Sequence, residues 1–174
     1  MMKEIEQEYI EQYKLHHNDT TKFPGNSYLS QHHLIAKLVK ETDSKTLLDY
    51  GCGKARQYTI ENMHEEWGFM PALYDPAIPE YENLPEGPFD GIYSTDVMEH
   101  IPKEVIPSVF EYIYSNAQKF VFLVTILPNG ENAHCTVEPM DWWVKMINSH
   151  APKSVYTHVN TYGLDNNYMI LNWS

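Results

Sequence analysis

The sequence predicts an α/β fold in which helices cover both faces of a mostly parallel sheet, giving three layers. Short apolar runs that end at glycine or aspartate alternate with helical apolar periodicity through most of the chain, a pattern typical of parallel strands joined by helices. The end of the chain differs, because the loop at 160–166 is too short for a helical crossover between the strands beside it. The last strand, 167–173, is therefore predicted to run antiparallel, between two parallel neighbours.

The individual elements follow from the spacing of apolar residues. Helices are expected where apolar residues recur every three or four positions, and these patterns cover 1–17, 30–42, 56–67, 103–119 and 141–150. Strands are expected at the short apolar runs 46–50, 71–74, 89–95, 120–126, 153–159 and 167–173. The length of 174 residues predicts a single domain, 1–174, with 1–43 as an N-terminal helical cap.

Charge and composition disfavour several classes of partner. The chain has 24 acidic and 12 basic residues, a formal net charge of −12, and Arg56 is its single arginine. Because nucleic-acid binders neutralise phosphates with lysine and arginine, nucleic acid is an unfavourable partner, and so is an anionic membrane surface. Cys52 and Cys135 do not make a disulfide framework, and the first residues lack the pattern of a signal peptide. We expect a cytoplasmic protein, and its oligomeric state stays open.

Polar residues and glycines follow the predicted parallel strands, where an open α/β sheet binds its ligands. These positions supply the candidate cofactor-binding residues Asp49, Tyr50, Gly51, Cys52, Gly53, Asp75, Pro76, Thr95 and Asp96. Gly51 and Gly53 permit a tight turn and a close backbone approach to a ligand. Asp75 ends the second strand, where a carboxylate can accept hydrogen bonds from both hydroxyls of a ribose. We therefore expect a cofactor that contains a nucleoside.

The nucleoside-containing cofactor could be a dinucleotide or S-adenosylmethionine, and the sequence distinguishes between the two. The dinucleotide fingerprint requires a third glycine at the position that Arg56 occupies in this chain. An NAD-type oxidoreductase is therefore disfavoured, and the predicted hairpin at the end of the chain also argues against it. S-adenosylmethionine is the favoured cofactor.

The segment LLDYGCGKAR, from Leu47 to Arg56, resembles motif I of the class I S-adenosylmethionine-dependent methyltransferases. Asp75 matches the acidic residue that this family uses on the ribose, and 89–102 resembles its fourth-strand motif. The resemblance covers roughly residues 44–174. It implies a Rossmann-like three-layer sandwich, S-adenosyl-L-methionine as cofactor, and methyl transfer to an O or N atom of a small-molecule acceptor.

The chain departs from this family between its second strand and the strand at 89–95. Relatives usually place a helix and a third strand there, whereas this chain has only the short segment 76–88, which contains four prolines. We therefore expect the fold to be shortened around the third strand.

Glu99, His100 and His134 are the candidate catalytic residues. The acceptor of a methyl group usually loses a proton, so a histidine or carboxylate beside it can act as general base. If the chain turns helical at Asp96, then Glu99 and His100 share one face with it, and His134 arrives from the loop after a neighbouring strand. The favoured interpretation needs no metal and uses one histidine as base, oriented by a carboxylate. The alternative is a divalent cation held by the imidazoles and carboxylates.

A second class of function also fits the sequence. A domain of this size has little room for a substrate-binding insertion, so the chain is alternatively a non-catalytic module, or a partner subunit, that binds S-adenosylmethionine or a nucleoside. Consumption of the cofactor in the presence of acceptors would separate this possibility from an enzyme.

Overall fold

The computed structural model describes residues 2–18, 31–126, 134–151 and 167–173 of the chain. Its helices are α1 (Met2–Asn18), α2 (His32–Glu41), α3 (Arg56–Thr59), α4 (Ile106–Asn116) and α5 (Met140–His150). Its strands are β1 (Leu47–Tyr50), β2 (Ala72–Tyr74), β3 (Phe89–Thr95), β4 (Ala117–Ile126) and β5 (Asn167–Trp173). None of the helices within these ranges is both long enough and apolar enough to cross a membrane.

The strands form one sheet in the order β2-β1-β3-β4-β5. The first four strands in this order are parallel, as the sequence predicts, with Leu48 beside Ala72 and Ile92 beside Val121. β5 pairs antiparallel with β4 along its whole length. The segment 153–159, expected as the second neighbour of β5, lies outside the described residues, so a position of β5 between two parallel strands stays a prediction.

Alternating side chains along the strands build two apolar cores, one on each face of the sheet. Leu48, Ile92 and Val121 belong to the core that α4 and α5 cover. Their neighbours in sequence belong to the core on the α2 and α3 face, and these neighbours are Leu47, Tyr93 and Phe122. Both faces of β1, β3 and β4 are therefore buried, as in a three-layer sandwich, whereas the residues of β2 at the edge of the sheet are partly buried.

The segment between β2 and β3 contains no helix and no strand, which confirms the shortened fold expected from the sequence. The helix predicted at 56–67 is wrong in extent. α3 ends at Thr59, and a separate 3-10 turn covers Met63–Glu66. Asn62, between the two, has a φ of 52°, a left-handed conformation that an α-helix cannot continue through. The helix predicted at 103–119 also ends early, because β4 already begins at Ala117.

Candidate active site

The turn after β1 brings the backbone close to the end of β3. Gly51 and Gly53 both have positive φ values, 87° and 54°, which favour glycine. The N–H groups of Gly51 and Cys52 donate to the carbonyl oxygen of Tyr74, at 2.7 and 3.0 Å, so the last residue of β2 holds the turn. A Cβ atom added to Gly51 would lie 2.3 Å from Cγ2 of Val97. The close approach of these two segments therefore requires glycine at position 51.

Asp75 follows β2 and joins this turn through its carboxylate. One carboxylate oxygen accepts the N–H of Gly53 and the other accepts the N–H of Ala77, each at 2.9 Å. Burial raises the pKa of Asp75, while the Ala77 N–H, His17 and the Gly53 N–H act in the opposite direction. Each carboxylate oxygen keeps a further lone pair, because a carboxylate offers about four acceptor positions. The group can therefore hold the turn and still accept hydrogen bonds from a diol.

Asp49, Tyr50 and Cys52 are buried beneath the turn. Asp49 accepts hydrogen bonds from the hydroxyl of Tyr58 at 2.6 Å and from Nε2 of Gln57 at 3.0 Å, both on α3. Burial raises the pKa of Asp49 to about 7, and these two hydrogen bonds partly oppose the shift. The described contacts of Asp49 thus make it a residue that positions the turn, and its direct contact with a cofactor stays a prediction.

The chain after β3 is not helical at Asp96, so the condition under which Asp96 would share a helical face with Glu99 and His100 is not met. Asp96 has a φ of 55°, and its N–H donates to the carbonyl oxygen of Val124 at 3.0 Å. A short 3-10 turn follows at Met98–His100. Asp96 therefore does not share a helical face with the two residues that follow it at positions 99 and 100. Pro76 and Thr95 are partly buried at the same edge of the sheet.

Glu99, His100 and His134 are brought together at this edge. One ligating atom from each of the three side chains lies within 4.8 Å of the others, and Asp96 is not part of this group. The rings of His100 and His134 meet edge to face, with centroids 4.6 Å apart. Glu99 is fully buried, and both histidines are partly buried. The convergence thus arises from the 3-10 turn rather than from a helix.

Backbone hydrogen bonds fix His134 against the turn that carries the other two residues. The N–H groups of Cys135 and Thr136 both donate to the carbonyl oxygen of Glu99, at 2.9 and 3.0 Å. The hydroxyl of Thr136 donates to the carbonyl oxygen of Ile101 at 2.6 Å. The preceding segment, 127–133, lies outside the described residues. The position of His134 therefore follows from its fastened neighbours on its C-terminal side.

Helix α1 supplies two further residues that sequence reasoning did not assign to the site. The Tyr13 hydroxyl lies 2.8 Å from Nδ1 of His100, and burial raises the pKa of this tyrosine. A Cβ atom added to Gly53 would lie 3.9 Å from Cε1 of His17, and Asp75 acts electrostatically on the same imidazole. The available signal was the four-residue spacing of Tyr13 and His17, which places both on one face of a helix.

Comparison with known proteins identifies the family. A family model described as a methyltransferase domain matches residues 26–167, and no curated protein matches the sequence. A solved structure of 1,6-didemethyltoxoflavin-N1-methyltransferase from Burkholderia thailandensis, with bound 1,6-didemethyltoxoflavin and S-adenosylhomocysteine, is 13% identical with a TM-score of 0.64. The match covers 95% of this chain and 86% of that one.

Two other solved structures share the fold. An O-methyltransferase family protein from Burkholderia thailandensis is 9% identical with a TM-score of 0.60, and the match covers 84% of this chain and 55% of that one. Human N-acetylserotonin methyltransferase, in complex with S-adenosylmethionine, is 12% identical with a TM-score of 0.56, with 84% and 52% covered. The chain thus spans about half the length of these two proteins. The family model covers most of the sequence, and the chain belongs to the methyltransferase-domain family.

Proposed function

We propose that this methyltransferase transfers a methyl group to an O or N atom of a small-molecule acceptor. The observation that carries the proposal is the adjacency of two groups of residues at one edge of the sheet. The glycine turn meets Val97, which precedes Glu99 by two residues, so the turn and the Glu99–His100–His134 cluster are neighbours along β1 and β3. A cofactor seated on the turn would therefore present its reacting end toward the cluster.

The residues at the turn fit S-adenosylmethionine, which supplies an electrophilic methyl group on a sulfonium when bound. Gly53 has no side chain, and a Cβ atom added there would lie as far as 3.9 Å from Cε1 of His17, so a ligand can approach the backbone of the turn closely at this residue. Asp75 has carboxylate lone pairs beyond those used by Gly53 and Ala77, and these would accept the two ribose hydroxyls. Asp49, Tyr50, Cys52, Pro76, Thr95 and Asp96 complete the proposed cofactor-binding set.

Glu99, His100 and His134 would act on the acceptor. An acceptor hydroxyl or amine has to lose its proton as the new bond forms, and a positioned acid–base group contributes about 10²- to 10⁴-fold to such a step. Buried Glu99 would orient the imidazoles. Its backbone carbonyl also fastens the segment that carries His134. We assign these three residues to the catalysis of acceptor deprotonation.

The charge of the chain supports a neutral or cationic small acceptor. With a net charge of −12 and a single arginine, the chain repels polyanions such as RNA. The structural neighbour with bound 1,6-didemethyltoxoflavin supports a small-molecule acceptor for this fold.

The proposal is tested by release of S-adenosylhomocysteine from purified protein given S-adenosylmethionine and separate pools of phenols, amines, sugars and short RNA. We expect release with one of the small-molecule pools. His134→Ala should lower that rate about 10²- to 10⁴-fold. His150→Ala serves as the matched control, because His150 ends α5, where its ring bonds within its own helix and packs on Phe110. Cofactor binding without release in any pool would make the chain a non-catalytic module, and release with RNA alone would overturn the acceptor class.

A further inference from the structure

The geometry points to a divalent cation held by Glu99, His100 and His134, with an oxygen atom of the acceptor as a further ligand. Binding of the cation stands on the cluster alone, whereas the role given to the acceptor rests on the proposed function. The cluster draws its ligands from two segments that are far apart in sequence, the 3-10 turn after β3 and the segment before α5.

The spacing of the three side chains suits coordination. Their ligating atoms lie within 4.8 Å of one another. Ligands that sit about 2.0–2.2 Å from a first-row ion are separated from one another by about 3 to 4 Å. Small side-chain rotations would therefore close the cluster around an ion. No second group of three such residues lies this close together in the part of the chain that the structure describes.

The cluster is also held by groups outside it, which is typical of metal sites. Cys135 and Thr136 fasten the His134 segment to the backbone of Glu99, so the two ligand-bearing segments keep their separation. The Tyr13 hydroxyl lies 2.8 Å from Nδ1 of His100, so Nδ1 has a hydrogen-bond partner and Nε2 is the ring atom that would coordinate the ion. An imidazole that ligates a metal through one nitrogen normally hydrogen-bonds through the other, and this partner fixes its orientation.

The ligand set narrows the choice of ion. Two imidazole nitrogens and one carboxylate oxygen suit Zn²⁺, Mn²⁺ or Fe²⁺ better than Ca²⁺, which requires six to eight oxygen ligands. Three protein ligands leave at least one position open, as in catalytic zinc sites. A cation also compensates the charge of a carboxylate such as Glu99, which is fully buried.

The open position gives the cation a role in methyl transfer to a hydroxyl group. With both imidazoles acting as ligands rather than as general bases, coordination would lower the pKa of the acceptor hydroxyl, so that it loses its proton to solvent water. The coordinated oxygen then donates an electron pair to the methyl carbon of the cofactor, while the carbon–sulfur bond breaks and its electron pair stays on sulfur. The inference thus narrows the acceptor to a molecule that bears a hydroxyl group and gives an O-methyl product.

The test begins with protein stripped of metal by a chelator and dialysed free of it. Titration with Mn²⁺, followed by electron paramagnetic resonance, should show one bound ion per chain. His134→Ala should weaken binding at least 10-fold, Tyr13→Phe about 10-fold, and His150→Ala not at all. Zn²⁺ titration by calorimetry repeats the series. Glu99 is left unchanged in this series, because it is buried and its substitution risks the fold. Circular dichroism of each variant accompanies the titration.

Different results would reject the cation site and the proposed function. Absence of ion binding by the wild-type protein, or equal binding by folded His134→Ala protein, would overturn the cation site. Full methyl transfer by the stripped protein in the presence of chelator would overturn the catalytic role of the cation, while leaving the proposed function intact. Ion binding at the cluster without methylation of any hydroxyl-bearing acceptor would keep the site and reject its role. Activity lost to the chelator and restored by Mn²⁺ is the expected result.

Discussion

On the proposed cofactor side of the site, the end of one neighbouring strand determines the geometry, whereas on the proposed acceptor side three separate segments of the chain do. The turn after β1 is held by the carbonyl of Tyr74 and the carboxylate of Asp75, both at the end of one neighbouring strand. The Glu99–His100–His134 cluster draws on the chain after β3, the segment before α5 and, through Tyr13, on α1. The cofactor side is therefore a local structure, and the acceptor side depends on the assembled fold.

This difference predicts which substitutions act on stability and which act on chemistry. Gly51→Ala should have the largest effect, because it combines a φ of 87° with a Cβ atom 2.3 Å from Val97. We expect a loss of about 2–4 kcal/mol in the free energy of unfolding, measured in urea, from left-handed strain and overpacking together. Gly68→Ala is the control, since its φ is 86° and no atom of the described residues lies within 4 Å of its added Cβ. It should cost only about 1–2 kcal/mol, and equal losses in the two variants would contradict the close approach.

Asp75→Ala should weaken cofactor binding and leave the acceptor side of the site largely unchanged. Loss of a charged acceptor for the ribose hydroxyls should weaken binding of S-adenosylmethionine by about 1.5–3 kcal/mol, or roughly 10- to 150-fold, in calorimetry. Turnover at saturating cofactor should change far less, because the acceptor cluster is untouched. Unchanged affinity in a folded variant would remove Asp75 from the cofactor site.

Asp49 should make the free energy of unfolding decline as the pH rises. Its pKa is about 7 in the folded protein because it is buried, whereas the unfolded chain ionises near the ordinary value of about 3.9. The contribution of Asp49 to stability is therefore full below about pH 4 and declines as the pH rises toward 7, by up to about 1.4 kcal/mol per pH unit. Asp49→Asn should flatten this decline when urea unfolding is compared at pH 5 and pH 7. A variant that keeps the wild-type slope would assign the decline to another group.

Tyr13→Phe should give the smallest effect. It removes one hydrogen bond to His100, worth about 0.5–1.5 kcal/mol, so we expect kcat to fall roughly 2- to 10-fold. The affinity for S-adenosylmethionine should stay at the wild-type value, because the Tyr13 hydroxyl hydrogen-bonds to His100 in the acceptor cluster. A fall in cofactor affinity with an unchanged kcat would show that Tyr13 acts on the cofactor side and not on the acceptor side.

The same contrast explains what the sequence reveals. The glycine turn and Asp75 are recognisable because their function depends on residues close together in the chain and on conformations that only certain residues adopt. Alternation of strand and helix likewise predicts the parallel sheet. The early end of α3 escapes this reasoning, because the left-handed conformation at Asn62 interrupts an apolar pattern that continues beyond it.

The acceptor side is predictable in its residue types but not in its assembly. Glu99, His100 and His134 are suggested by their chemistry, yet the helix expected to align them is a 3-10 turn after a left-handed Asp96. The contact between Tyr13 and His100 joins residues 87 positions apart, and no local pattern encodes it. Such contacts follow only from where the packed elements place α1.

Helix α1 also spans the distance between the histidine cluster and the glycine turn. Tyr13 reaches the histidine cluster and His17 reaches the glycine turn, and four residues of helix advance about 6 Å along its axis. Each residue added or removed between them would rotate one side chain by about 100° relative to the other. The helix could then satisfy one contact or the other but not both, so the register of a single helical turn would link the proposed place of the ribose to the proposed place of the acceptor.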